Sequence, residues 1–254
     1  MLGDAYLDAA RFTEMIHSYS LYLNHGGEQE SGLIRAMAKA YLALDDYGNA
    51  RRYVTQLLGE NPGDTIMLKL VLPIALAAGA PGDAADYLAK LEAAEPKDPE
   101  LKKLRPRVHA AVQTERMVGL QKKLEAGEGG AELLEQLGDV ARELENYGDA
   151  IMYYQKSTRD KGDEQRVRRS KIKLALSYMR RRLDDLATEM LREVTISVDE
   201  APAELRLQMD LLYEIGELLY EQHRYDKAMQ VFKELCKIDA SYRDVLKRVE
   251  TLKK

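Results

Sequence analysis

With 254 residues, 45% of them apolar and 32% charged, the chain has ample material for buried cores, and its net charge of −5 argues against general nucleic-acid binding. Its single cysteine, Cys236, excludes an intramolecular disulfide and an ordinary cysteine-based zinc site, and reads as a core thiol. No stretch reaches the roughly 18 consecutive apolar residues of a membrane span, so no direct membrane insertion is expected of this segment.

In chain order, Leu2-Gly3, Tyr6, Phe12, Met15, Tyr19 and Tyr22 fit a helical hairpin whose first helix starts short, with Gly26-Gly27 in the closing turn. Residues 31–64 set the pattern for the later copies. Ile34, Met37, Ala38 and Tyr41 share one face of a helix, and Asp45-Asp46-Tyr47-Gly48 breaks it. Ala50, Val54 and Leu57 then share one face of a second helix, which ends at Asn61-Pro62-Gly63. Two such helices pack as an antiparallel hairpin, with Ala38 and Ala50 where they approach most closely. Leu68, Val71, Ala84, Leu88, Leu91 and Pro96 make the next copy, with Pro73 inside its first helix; Pro62 to Pro96 and Ala50 to Ala84 are both steps of 34 residues.

Residues 99–130 lack this element. Pro106 predicts the end of one short helix and the first turn of a longer one, with Val108, Ala111, Val112, Met117, Leu120 and Leu124 packed and glycines 127, 129 and 130 closing it. A fourth hairpin comes next, with Leu134, Leu137-Gly138, Ala141, Asn146-Tyr147-Gly148-Asp149-Ala150 and Tyr154. The fifth carries Leu174, Ala175, Tyr178, Ala187, Leu191 and Val194. The sixth carries Leu212, Ile215-Gly216, Leu219, Tyr225, Ala228 and Phe232. The reference alanines drift to steps of 37 and 41, predicting longer helices or loops in the later copies. From Ser241 onward, Tyr242, Val245, Leu246, Val249 and Leu252 form a single stripe that suits a capping helix. The expected organisation is an N-terminal block at 1–98 with a truncated first copy, a helical connector at 99–130, and a C-terminal block with its cap at 131–254.

These residues resemble the tetratricopeptide repeat, whose signature runs from a large residue through Leu-Gly and an aromatic to Ala, an aromatic four later, and Pro. Ile34, Met37, Ala38, Tyr41, Ala50, Val54 and Pro62 satisfy most of it. The resemblance implies an all-α, right-handed solenoid of about six hairpins, in which first helices line a concave groove for peptides or partner proteins. It assigns Arg35, Lys39, Leu42, Lys69, Leu76, Glu135, Asp139, Arg142, Ile172, Leu176, Met179, Arg180, Tyr213, Glu217, Tyr220 and Glu221 to that groove. Ile172, Leu176 and Met179 beside Tyr213 and Tyr220 either form an apolar pocket or are covered by the lengthened helices themselves. Family members that grip a C-terminal carboxylate use Lys and Asn on successive first helices; here the asparagines are missing and Pro73 interrupts the next position.

Nothing in the sequence points to catalysis, and no cofactor is implied. His17, His25, His109 and His223 lie in four different elements, and the glycine clusters lack the Lys and Ser or Thr of a phosphate loop. Basic residues gather in the connector and on the first helix of the fifth hairpin, between acidic first helices of the fourth and sixth. That alternation reads either as solvated salt bridges across the hairpins or as a site for an acidic ligand. The functional expectation is a non-enzymatic scaffold for a protein or peptide partner, in a cytoplasmic setting. The rivals are self-assembly into a homo-oligomer and a soluble regulatory segment of a larger or membrane-anchored protein.

Overall fold

The computed structural model describes residues 11–28, 30–194, 196 and 201–252, and among these there is no strand. Contacts gather in two compact units, residues 1–115 and 116–254. The first holds α1 (Phe12–Asn24), α2 (Ser31–Ala43), α3 (Tyr47–Glu60), α4 (Thr65–Ala77), α5 (Pro81–Ala94) and the start of α6 (Leu101–Glu125). The second holds the rest of α6, then α7 (Ala131–Glu143), α8 (Tyr147–Ser157), α9 (Glu164–Arg180) and α10 (Asp184–Arg192). It closes with α11 (Pro202–Glu221), α12 (Tyr225–Ile238) and α13 (Val245–Leu252). The pairs α2/α3, α4/α5, α7/α8, α9/α10 and α11/α12 are the second to sixth expected hairpins, so the chain is an α-solenoid of helical hairpins. Of the first copy, Leu2, Gly3 and Tyr6 lie outside the described residues, while Phe12 to Tyr22 form α1.

One turn joins the two helices of each of these five hairpins. A residue in the left-handed region follows the first helix: Asp45, Gly79, Glu145, Arg182 and His223, with φ of 56°, 67°, 58°, 62° and 60°. The residue after it donates its amide back across the turn, Asp46 to Tyr41, Ala80 to Ala75, Asn146 to Ala141, Leu183 to Tyr178 and Arg224 to Leu219, at 2.8–2.9 Å. This closes the orphan carbonyls of the first helix and reverses the chain. Side-chain caps then start several helices: Asp46 and Asn146 accept the amides of Asn49 and Asp149, Asp64 those of Ile66 and Met67, and Asp163 that of Arg166.

Each unit has its own core. In the first, Met15, Ile34, Met37, Ala50, Val54, Leu68, Leu72, Ala84 and Leu91 are fully or almost fully buried. In the second, Leu137, Ala150, Tyr154, Leu174, Ala187, Ile215, Ala228 and Phe232 are. The alanines at 50, 84, 150, 187 and 228 all have no exposed surface, which fits their place at the tight approach of two helices. The break expected at Pro106 is absent: α6 runs unbroken from Leu101 to Glu125. Asp98 accepts the Glu100 amide at 2.9 Å just ahead of it, so the helix begins earlier than expected. Pro106 sits on the exposed face, where the one carbonyl it leaves unbonded faces water. Leu101 and Val108 join the first core, Met117 and Leu120 the second. Pro73 lies inside α4 as expected. The C-terminal stripe becomes α13, packed on α12, with Val245 and Val249 buried and Leu246 exposed.

Candidate partner-binding face

In the first unit, two basic groove positions, Arg35 and Lys69, are tied to the turn that follows their own hairpin. Arg35 Nη2 donates to Asp64 Oδ2 at 2.5 Å. Lys69 Nζ meets Asp98 Oδ2 at 2.5 Å and Glu95 Oε2 at 3.0 Å. Arg35 and Lys69 are one repeat apart, as are Asp64 and Asp98, so one contact is made twice with the cation type changed. Hydrogen bonds from Lys69 and from the Glu100 amide hold the Asp98 carboxyl below its ordinary range. Lys39 is exposed, and Leu42 and Leu76 are half-buried.

In the second unit, α7, α9 and α11 are cross-linked by charge. Arg169 of α9 donates from Nε and Nη2 to the two oxygens of Glu135 at 2.6 and 2.7 Å, and from Nη1 to Glu204 of α11 at 2.7 Å. Lys173 bridges Glu135 at 2.9 Å and Asp139 at 2.7 Å. Glu135 is only 3% exposed. Burial on its own would raise its carboxyl, but the hydrogen bonds from Arg169 and the charge of Lys173 outweigh that and hold it below the ordinary glutamate range. Tyr154 of α8 donates to Asp139 at 2.7 Å, and Arg142 reaches the same hydroxyl, so Tyr154 is buried, bonded and pushed far above the ordinary tyrosine range.

The alternation carries on outward. Arg180 pairs with Glu214 at 2.6 Å, Arg243 and Tyr242 both donate to Asp210, and Arg248 donates to Glu217 at 2.6 Å. Burial and the Asp210 carboxylate push the Tyr242 hydroxyl up to about 12. The charge alternation is therefore a lattice of pairs between hairpins. Glu135, Asp139, Arg142, Arg180 and Glu217 belong to it and are not idle on an open surface.

Ile172, Leu176 and Met179 are 0%, 0% and 1% exposed and belong to the core, so of the two readings they are covered and no apolar pocket opens at them. The reason is that α9 is covered by α8 and α10 and packs on α7 and α11 as well, so an extra apolar face is consumed by neighbours. Tyr213 and Tyr220 remain half-buried. Tyr213 stands edge-on to Phe232 and Tyr242, donates to Asp244, and carries the Arg243 guanidinium over its ring at 4.7 Å. Tyr220 stands edge-on to Tyr225 under Arg248.

A hollow lies on this face. It measures about 390 Å³ and is lined by Arg142, Leu207, Leu211, Tyr213, Glu217 and Arg243 together with Asp210 and Glu214. Leu207 is 39% exposed at its edge. Glu217 bonds Arg248 through one oxygen while the other has no protein partner, and burial raises its carboxyl. Of the expected groove residues, the hollow gathers Arg142, Tyr213 and Glu217. Leu207, Leu211 and Arg243 were not expected; the 20-residue length of α11, with leucines four apart beyond the hairpin stripe, is the sequence signal for the first two. Among the described residues no group of three metal-ligating side chains converges, and no helix is long and apolar enough to cross a membrane.

A sequence profile described as a tetratricopeptide repeat matches residues 35–99 and 172–243, and a second profile of the same description matches 131–159. No curated protein matches the chain in sequence. Among solved structures, a tetratricopeptide repeat protein from Parabacteroides merdae is 12% identical over 100% of this chain and 82% of its own, with a TM-score of 0.41. Yeast Tom70 is 14% identical over 98% of this chain and 66% of its own, also at 0.41. The C-terminal part of a tetratricopeptide repeat-containing protein from Cytophaga hutchinsonii is 13% identical over 98% of both chains, at 0.39.

Proposed function

Because the chain belongs to the tetratricopeptide repeat family, we propose that it is a non-catalytic scaffold that holds a peptide or an extended segment of a partner protein along the first helices of its hairpins. The observation that supports this is the hollow between α7, α11 and the turn before α13. It joins an apolar edge at Leu207 and Leu211 to the Tyr213 ring and to the half-buried Glu217 carboxylate. Such a combination suits one partner side chain with an apolar stem and a hydrogen-bond donor at its tip. The surrounding ion pairs fix the spacing of α7, α9 and α11, so the face is pre-organised and a bound segment alone loses conformational freedom. In the first unit, Lys39 and Leu42 of α2 supply the corresponding positions.

The test is capture of partners from a lysate by the immobilised chain, followed by mass spectrometry, with Leu207→Asp and Glu217→Gln in parallel. Both changes leave the buried cores untouched, so circular dichroism should be unchanged while a groove-bound partner is lost. Capture that is the same for wild type and both variants would place the partner elsewhere and remove this reading.

A further inference from the structure

A second cavity lies away from that face, among the second helices of the last two hairpins. Helix α10 has nine residues and α12 has 14, and the Lys227 side chain of α12 reaches Asp185 and Thr188 of α10. The cavity measures about 590 Å³, within the range of small-molecule sites. Its apolar lining is aliphatic: Leu191, Leu212, Leu219, Val231 and Ile238 from the helices, with Val194 and Ile196 from the residues that follow α10. Leu212 and Leu219 are buried to 8% and 2% exposure, so the floor reaches the depth of the core itself.

The polar groups of the cavity are uneven in sign. Arg192, Lys227 and Lys237 face a single carboxylate, Glu234. Lys227 is held at 3.2 Å from both Asp185 and Thr188, and Lys237 at 2.5 Å from Glu234; Asp185 is almost wholly exposed, so its hold on Lys227 is screened by water. An aliphatic floor rewards a hydrocarbon and offers nothing to a ring bearing polar atoms. An excess of cations at the mouth rewards an anion.

We propose that this cavity binds a single-chain fatty acid, its hydrocarbon lying on Leu191, Leu212, Leu219, Val231 and Ile238 and its carboxylate meeting Arg192 and Lys227. The site is independent of the partner-binding face, because its lining comes from α10 and the residues after it, from α12, and from the opposite side of α11, and shares no residue with the hollow.

The experiment uses the full chain, stripped of lipid, titrated with palmitate below its micelle concentration by calorimetry, and checked by native mass spectrometry for one palmitate per chain. Hexadecanol and hexadecyltrimethylammonium serve as neutral and cationic counterparts of the same tail. Saturable 1:1 binding of palmitate is expected, with both counterparts weaker by about tenfold or more. Val231→Trp fills the floor and should abolish uptake. The double change Arg192→Glu with Lys227→Glu alters only the mouth, keeps the fold, and should weaken palmitate by a similar factor while bringing the cationic counterpart up. No saturable uptake overturns the proposal, as does uptake indifferent to head-group charge, or uptake that survives both variants. An acidic helical peptide binding there, with no uptake of palmitate, overturns it equally.

Discussion

Gly138 of α7 lies flat against the ring of Tyr154 on α8, so close that a Cβ on the glycine would stand 2.5 Å from the ring edge. Gly216 of α11 meets Phe232 of α12 in the same way, at 2.6 Å. In both hairpins the glycine precedes its ring by 16 residues. The same spacing pairs Ala38 with Val54 and Leu72 with Leu88 in the first unit. In these two hairpins a ring is thus accommodated by the absence of a side chain opposite it, whereas the first unit fills the same positions with aliphatic residues and no ring.

Gly138→Ala should destabilise the second unit by about 1–3 kcal/mol, because the ring edge has no room to move inside the core. Chemical denaturation followed by circular dichroism measures this. Adding Tyr154→Val should recover part of the loss even though Tyr154→Val is itself a cavity-forming change, and strict additivity of the two would contradict the size-matching account.

Ala50→Leu should cost a similar amount, roughly 1–3 kcal/mol, in the first unit, since Ala50 has no exposed surface at the crossing of α2 and α3. A melting temperature equal to that of wild type would mean the crossing is looser than the burial implies.

The hairpin turns give a pair of opposite predictions. Gly79 has φ of +67° with open space where a Cβ would be, so Gly79→Ala should lose about 1 kcal/mol through backbone strain alone. Arg182 occupies the same conformation with a side chain, and Arg182→Gly should be neutral or slightly stabilising. Differential scanning calorimetry of the two variants tests both signs.

Glu135→Gln leaves Arg169 and Lys173 facing an uncharged partner inside the unit and should cost about 3 kcal/mol near neutral pH. The folded Glu135 carboxyl titrates below the ordinary value of 4.5, so its contribution is complete above that value and is lost as pH falls through the depressed one. The gap in melting temperature between wild type and variant should therefore hold from about pH 7 to about pH 5 and narrow as the pH falls below the ordinary value of 4.5. A gap that widened in acid would reverse the assignment.

Hairpins two to six, the turn segments and the reference alanines were legible in the sequence, because a two-helix unit depends on local periodicity and a few small residues at fixed places. Two things were not. Pro106 reads as a break when the residue is taken alone, whereas the helix it sits in had already been started by Asp98 and the proline faces water. Ile172, Leu176 and Met179 read as surplus on an isolated hairpin, since nothing in local periodicity says that α9 is covered on several sides. The hollow at Leu207, Tyr213, Glu217 and Arg243 depends on how side chains from three separated elements converge, which spacing along the chain does not encode.

The Glu135–Arg169–Glu204 chain has a bearing on how such an array can change its length. Excising the α9/α10 hairpin would keep every remaining helix and turn intact, yet bring two acids face to face where a guanidinium had stood between them. The succession of signs thus acts as an address for each module, and a copy lost or duplicated at this point would be tolerated only if a second exchange, acid for base, came with it.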